Sequence, residues 1–268
     1  MTESAQAAPG RDRVVVIWTL ATVVLLAWIF LWLEAVAMYA MGSGPGILAS
    51  LGAVVMPIMP MGGPWTVGWL GLTFLMWTVM MAGMMLPSAA PAILLYGALA
   101  KGNAERGSVL PSVWIYTSGY LAVWTGFSLV VTLLQAWLQS SGLVNEMMVS
   151  SSLPLSAAIL IAAGLYQWLP AKDACLEKCR DPLQTLLFRW HPGASGAFRM
   201  GFENGVFCTG CCWALMLLLF AAGVMNLLWV AALTVYVLVE KLMPGGRIAG
   251  RVAGLALVAF GGSMLLPF

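Results

Sequence analysis

Charged side chains are scarce in this sequence, since Asp, Glu, Lys and Arg make up only 8% of its 268 residues. A soluble domain carries about 25% of such residues, which keep its surface hydrated. Because hydrophobic residues make up 62% of the chain, most of its outer surface has to face lipid. The twelve Lys and Arg residues are scattered among short connections and form no basic patch, which argues against a nucleic-acid partner.

Histidine is almost absent, because His191 is the only one. This excludes multi-histidine metal sites and zinc sites of the HExxH type, and it leaves little support for a Ser/His/Asp triad. The sequence also lacks a P-loop, a dinucleotide-binding glycine motif and a CxxCH haem attachment site. These absences favour a binding or transport protein over an enzyme.

Long apolar runs are what the sequence has instead. A helix needs about 20 apolar residues to cross a bilayer. Runs that meet or approach this length lie at 14–34, 67–99, 111–138, 153–170, 201–223, 226–241 and 248–266. We therefore predict an all-α, polytopic transmembrane helix bundle of about seven spans. It forms one domain over residues 13–268, after a disordered N-terminus at 1–12.

The first two spans have special features. The run after Arg11 and Arg13 exceeds the apolar length of a secretory signal and no small-residue cleavage site follows it directly, so we expect a retained span rather than a cleaved signal. The second span contains Pro87 and Pro91, which predict either a kink or an extension beyond the bilayer.

The basic residues predict the orientation of the chain. With seven spans, every Lys and Arg lies on one side, because the alternate connections 35–66, 139–152 and 224–225 contain none. The positive-inside rule makes the basic side cytoplasmic. We expect a multi-pass membrane protein with its N-terminus in the cytoplasm and its C-terminus outside. The charged loop 171–200 is then cytoplasmic, with short helices predicted around 173–180 and 182–190.

Five cysteines form two groups near the cytoplasmic side. Cys175 and Cys179 are four residues apart, and Cys208, Cys211 and Cys212 have i, i+3, i+4 spacing, so each group shares one helix face. Thiols in a reducing compartment rarely form structural disulfides. Such groups more often indicate metal ligation or redox exchange. The alternative is that each cysteine is a small buried hydrophobic residue.

Methionine is the second source of sulfur. The chain has 18 methionines, and two adjacent pairs occur in the second span. The candidate ligands among them are Met81, Met84 and Met85, although methionine is also a routine filler of gaps between apolar helices. Thiolate and thioether ligands favour Cu(I), with zinc as a competitor at thiolate sites. Three further methionines lie in the predicted outer loop: Met56, Met59 and Met61.

Several polar residues are possible accessory ligands: Glu203, Asn204 and His191. Asn204 precedes Cys208 by one turn on the same face. Glu203 has Arg199 one turn earlier, so a salt bridge at the membrane boundary is the alternative to a ligand role. Glu240 and Lys241, at the end of the sixth span, are expected to mark the membrane interface.

Small residues recur in the last span at Gly246, Gly250 and Gly254. This spacing lets two helices approach closely. The partner helix lies either within the bundle or in a second copy or another subunit of a membrane complex.

Motifs in three of these segments resemble a known family. Met-Met-x2-Met-Met-Leu-Pro ends at Pro87, Cys-x3-Cys-Arg ends at Arg180 and Cys-x2-Cys-Cys-Trp ends at Trp213. In this order they resemble a bacterial family of predicted metal-binding integral membrane proteins of unknown function, over roughly residues 70 to 266. The resemblance implies a metal-binding protein of the bacterial inner membrane and names neither the metal nor a reaction.

Three functions follow as hypotheses. The first is a membrane protein that handles Cu(I) by transport, storage or delivery through Cys and Met ligands. The second is a membrane thiol–disulfide redox protein, which the expected cytoplasmic position of the thiols disfavours. The third is a non-catalytic assembly subunit of a membrane complex.

Overall fold

The structure is a computed structural model that describes residues 8–42, 65–103, 110–144, 152–224 and 226–266. These residues form nine α-helices and no strand, which confirms the all-α prediction for this part of the chain. The helices are α1 (Ala8–Gly42), α2 (Val67–Asn103), α3 (Leu110–Ser140), α4 (Leu153–Tyr166), α5 (Pro170–Arg180), α6 (Pro182–Phe188), α7 (Gly193–Ala222), α8 (Leu227–Leu242) and α9 (Gly246–Ser263).

Four of the described helices, α1, α2, α3 and α7, are long and apolar enough to cross a membrane. A fifth candidate is the pair of α4 and α5, which is bent by 64°. Helices also form where the sixth and seventh spans are predicted. However, α8 has only 16 residues and α9 carries Arg247 and Arg251, and neither is among the candidates. The structure therefore supports four or five spans, and seven spans stay a prediction.

The first two helices are longer than a bilayer requires. The 37 residues of α2 rise about 55 Å at 1.5 Å per residue, against about 30 Å of hydrocarbon. The helix is thus longer than one perpendicular crossing needs, and it continues through both prolines. Its extension beyond the bilayer stays a prediction. The first helix begins at Ala8, inside the segment expected to be disordered. Pro9 does not prevent this, since proline is tolerated in the first turn of a helix. The predicted sites Met56, Met59 and Met61 lie outside the described residues.

The centre of the bundle is the pair of α3 and α7, which make the most extensive contact of any two helices described. Their backbones approach closely at Gly201, where a Cβ would overlap the carbonyl oxygen of Tyr116. The second helix packs on α3 and the first on α2. The buried side chains therefore lie between α2, α3 and α7, where the sulfur-bearing segments meet.

The glycine series of the last helix faces the chain's own residues. Gly246 and Gly250 lie against Glu240 of α8, and Gly254 lies against α4, where a Cβ would be 2.8 Å from the carbonyl oxygen of Gly164. The bundle-packing interpretation accounts for all three positions. An oligomeric or subunit contact through these glycines stays a prediction.

The charged segment 171–200 contains the short helices expected of it. They are α5, which carries Cys175 and Cys179, and α6. The chain then turns at His191 and Pro192 before α7 begins at Gly193, whose positive φ of 81° suits a residue without a Cβ. This turn sends α7 back along α5.

Candidate metal centre

Packing of α5 against α7 brings the two cysteine groups together. The thiols of Cys179, Cys208 and Cys212 all lie within hydrogen-bonding reach of the Cys211 thiol. The three cysteines of α7 are at most 3% exposed. These four residues, Cys179, Cys208, Cys211 and Cys212, are called the thiol cluster below. The helical spacing explains it, since Cys208, Cys211 and Cys212 occupy one face that α5 covers.

Cys175 borders the thiol cluster one turn earlier along α5. Its Sγ lies against α7 at Gly210, where a Cβ would be 2.8 Å from the sulfur. Tyr166 donates a hydrogen bond to the carbonyl oxygen of the same glycine. A larger residue at position 210 would therefore separate Cys175 from α7.

The hydrogen bonds of the thiol cluster describe protonated thiols. Cys211 and Cys212 each donate from Sγ to the carbonyl oxygen of Cys208, at 3.0 Å. Among the described residues, no group of three or more Cys, His, Asp or Glu side chains has the arrangement of a metal site. Ligation of a metal would therefore require these thiols to lose their protons and to rotate away from the carbonyl.

A buried lysine reaches into the thiol cluster. Lys241 is 6% exposed, and its Nζ lies 2.8 Å from Cys208 Sγ and 3.1 Å from Ser88 Oγ. Its side chain is enclosed within the bundle because α8 packs against both α2 and α7, and the position of Lys241 at the membrane interface stays a prediction. An ammonium group beside a buried sulfur favours the thiolate, which is the form that binds metals.

Tyr120 connects Cys208 to the methionine-rich segment of α2. Its hydroxyl lies 3.0 Å from Cys208 Sγ and 3.3 Å from the carbonyl oxygen of Met85. Ser88, the hydroxyl partner of Lys241, donates to the same carbonyl at 2.9 Å. The methionines of this segment, Met80, Met81, Met84 and Met85, are each at most 1% exposed. The thiol cluster therefore adjoins the end of the methionine-rich turns of α2.

One ion pair and three hydrogen bonds to backbone carbonyl groups hold α5 beside α8 and the residues that follow it. Lys172 pairs with Glu240 in the interior, with both side chains at most 2% exposed, and Gln167 accepts a second hydrogen bond from Lys172. Arg180 donates to the carbonyl oxygens of Glu240, Met243 and Pro244 at 2.7 to 3.1 Å. Arginine thereby satisfies carbonyl groups at the end of α8. Since Cys179 and Lys241 are each next to one of these residues, the contacts fix the two relative to each other.

The predicted accessory residues lie elsewhere in the structure. Glu203 pairs with Arg199 at 3.1 Å and with Arg189 at 3.6 Å, so the salt-bridge interpretation describes its contacts. Asn204 lines a small cleft with Glu203 and Lys178. His191 lies in the turn before α7, and in the part of the chain described it joins no metal-binding group.

Lys241, Tyr120 and Ser88 are the neighbours of Cys208 that motif spacing did not identify. A lysine in an apolar helix is a functional-site signal, and this signal was available for Lys241. The hydroxyls of Tyr120 and Ser88 had no such signal, because Tyr and Ser are common in membrane helices.

The chain matches the copper chaperone family PpoB2 over residues 74–264. No curated protein matches it, and no solved structure does. The matched range runs from within α2 to the first residue after α9 and so includes all five cysteines and the methionine-rich turns. The chain belongs to the PpoB2 family of copper chaperones.

Proposed function

We propose that the protein binds Cu(I) as cargo inside the membrane, through thiolates of the thiol cluster. Cys208 and Cys211 are the first pair of ligands, and the further sulfur ligands are Cys179, Cys212, Cys175, Met81, Met84 and Met85. Soft sulfur donors select Cu(I) over harder cations. Membership of a copper chaperone family and the burial of sulfur from three helices in one region support this assignment over the interpretation as gap-filling residues.

The observation that carries the proposal is the contact of Lys241 Nζ with Cys208 Sγ at 2.8 Å. Two thiolates and one Cu(I) leave one negative charge in excess, which the ammonium group of Lys241 neutralises. Buried charges are costly unless they are paired. The lysine therefore favours deprotonation of Cys208 and stabilises the loaded site in a region that water does not reach.

The predicted topology gives the cargo a direction. With seven spans and a cytoplasmic N-terminus, the methionines Met56, Met59 and Met61 lie outside, and Cys175 and Cys179 lie near the cytoplasm. Thioethers persist in an oxidising compartment, and thiolates bind Cu(I) more strongly. Cu(I) would thus pass from the outer methionines through the turns at Met81 to Met85 to the thiol cluster, from which it is delivered or stored.

A competition titration with a chromophoric Cu(I) chelator tests the binding site. The purified wild-type protein should bind Cu(I) with high affinity, and Cys208→Ser together with Cys211→Ser should abolish that binding. Ala214→Ser is the matched control, because it introduces a hydroxyl at another buried position of α7. The same titration with Zn²⁺ tests the competing metal. Retention of wild-type Cu(I) affinity by a variant with all five cysteines changed to serine would overturn the proposal.

Thiol–disulfide exchange is the second candidate function. The gathering of the Cys179 and Cys208 thiols around Cys211 favours it, because thiol–disulfide exchange needs neighbouring cysteines. Acid quenching of cells followed by thiol alkylation separates the two functions. Cu(I) handling predicts free thiols throughout growth, whereas a redox protein predicts a disulfide that forms and disappears with the supply of oxidant and reductant.

A further inference from the structure

A groove between α1 and α2 has a cationic end and an apolar continuation. Its cationic end is a cavity of about 300 Å³ lined by Asp12, Arg13 and Lys101 together with apolar residues. Its continuation is a cavity of about 400 Å³ lined only by apolar residues, including Leu20, Pro87 and Ala90. Leu94 lines both cavities, so the two are adjacent parts of one groove.

We propose that this groove binds an anionic phospholipid, with the phosphate at Arg13 and Lys101 and one acyl chain along the apolar part. In the part of the chain that is described, neither cation forms an ion pair. Two cations and the carboxylate of Asp12 leave one positive charge in excess at the cavity, which matches the single negative charge of a phosphodiester. Asp12 can accept hydrogen bonds from hydroxyl groups of the lipid headgroup.

The length of the groove fits one leaflet. From Arg13 to Val24 on α1, and from Lys101 to Leu86 on α2, the lining residues span roughly 15 to 22 Å at 1.5 Å per residue. One leaflet contributes about 15 Å of hydrocarbon, half of a bilayer core. The charged end lies at the start of α1 and the end of α2, where these helices leave the apolar region. A lipid bound here would therefore have its headgroup at the membrane surface and its acyl chain alongside α1 within one leaflet.

The residues of the groove favour a lipid acyl chain over another helix as its occupant. Its open side is formed by exposed Ile17 and Ala21 of α1, and Pro87 and Ala90 line its α2 side. A single flexible chain fits beside small residues and a proline more easily than a helix with its own side chains. Basic pockets between transmembrane helices are known sites for anionic headgroups.

Lipid retention by the full-length protein tests the proposal. Protein reconstituted in vesicles of equal parts phosphatidylglycerol and phosphatidylethanolamine is extracted in mild detergent, and bound lipid is quantified by mass spectrometry. We expect the wild type to retain phosphatidylglycerol at least about fivefold over phosphatidylethanolamine, as charge pairing in a groove predicts. Arg13→Gln with Lys101→Gln should abolish the preference, whereas Arg11→Gln, at a neighbouring exposed cation outside the groove, should keep it.

A second variant separates the headgroup from the chain. Ala90→Phe fills the apolar part without changing any charge and should reduce retention of both lipids, with an unchanged thermal unfolding midpoint as the check on folding. Soluble glycerol 3-phosphate should not displace the bound lipid. Retention of the two lipids in their bulk ratio by the wild type would overturn the proposal. So would an unchanged preference in the double Gln variant, or displacement by glycerol 3-phosphate.

Discussion

At the scale of single residues, the chemistry of the site depends on Lys241. A thiol is a poor ligand until it loses its proton, and the interior of a membrane protein opposes that loss because it solvates charge poorly. The ammonium group 2.8 Å from Cys208 Sγ reduces this penalty. Tyr120 adds a hydroxyl 3.0 Å from the same sulfur. Cys208 is thus the cysteine of the cluster with both a cation and a hydroxyl group beside its sulfur.

Replacement of Lys241 should therefore weaken Cu(I) binding without removing a sulfur ligand. We expect Lys241→Met to lower the affinity about 10- to 100-fold, the range for residues that support metal ligands, and Lys241→Arg to retain more of it. A chelator competition titration measures both. Arg251→Met is the control, since Arg251 forms only an exposed ion pair with Asp173. A Cu(I) affinity of the Lys241→Met variant equal to that of the wild type would show that Lys241 does not support the copper site.

The buried pair of Lys172 and Glu240 is a stabilising contact rather than a ligand set. Glu240→Gln leaves the Lys172 charge without its partner in the interior, which should cost about 3 to 5 kcal/mol of folding free energy. Asp173→Asn breaks only exposed pairs with Arg247 and Arg251 and should cost about 1 kcal/mol or less. Thermal unfolding in detergent measures the difference, and equal midpoints for the two variants would contradict this assignment.

At the scale of helices, the sequence predicted α5 and α6 well, because prolines and charges mark their ends. It placed the cysteines of each motif on one face, and the structure brings these faces together. It did not predict the burial of Lys241, because adjacent charges at the end of an apolar run are typical of an interface. Neighbouring positions on a helix point about 100° apart, so Glu240 faces α5 while Lys241 faces α7. The helices that surround α8 are determined by tertiary packing, which the periodicity of the sequence does not predict.

The contact of α3 with α7 positions Cys208 beside Tyr120, and it depends on glycine. At Gly201 a Cβ would overlap the carbonyl oxygen of Tyr116, whereas at Gly126 of α3 nothing lies within 4 Å. Gly201→Ala should therefore force the helices apart and lower the thermal midpoint strongly, by an overpacking cost of about 1 to 3 kcal/mol or more. Gly126→Ala should change little. Similar midpoints for the two variants would show that the approach of α3 and α7 is not constrained at Gly201.

At the scale of the whole molecule, the number of spans determines on which side of the membrane each terminus lies. Hydropathy and the positive-inside rule predict seven spans, but only four or five of the described helices meet the length and composition of a span. The difference lies in α8 and α9, which are short or carry charge. Hydropathy measures only the apolar length of a segment. The packing of α8 between α2 and α7 buries charges that an isolated helix would expose, and hydropathy does not report this packing.

Reporter fusions distinguish these topologies. With seven spans, green fluorescent protein fused after Met243 should fluoresce, and the same protein fused after Phe268 should not, because the last span moves the junction out of the cytoplasm. Alkaline phosphatase fusions should give the opposite result. Fluorescence at both junctions would mean that α9 does not cross, and the orientation proposed for the C-terminus would be wrong.

The central claim is that sulfur atoms of this chain hold Cu(I), and X-ray absorption at the copper edge tests it most directly. The spectrum of Cu(I)-loaded wild-type protein should show a coordination shell made only of sulfur. The variant with Cys208→Ser and Cys211→Ser should lose that shell, while Ala214→Ser should keep it. A shell dominated by nitrogen or oxygen in the wild type, or an unchanged sulfur shell in the double variant, would contradict the account.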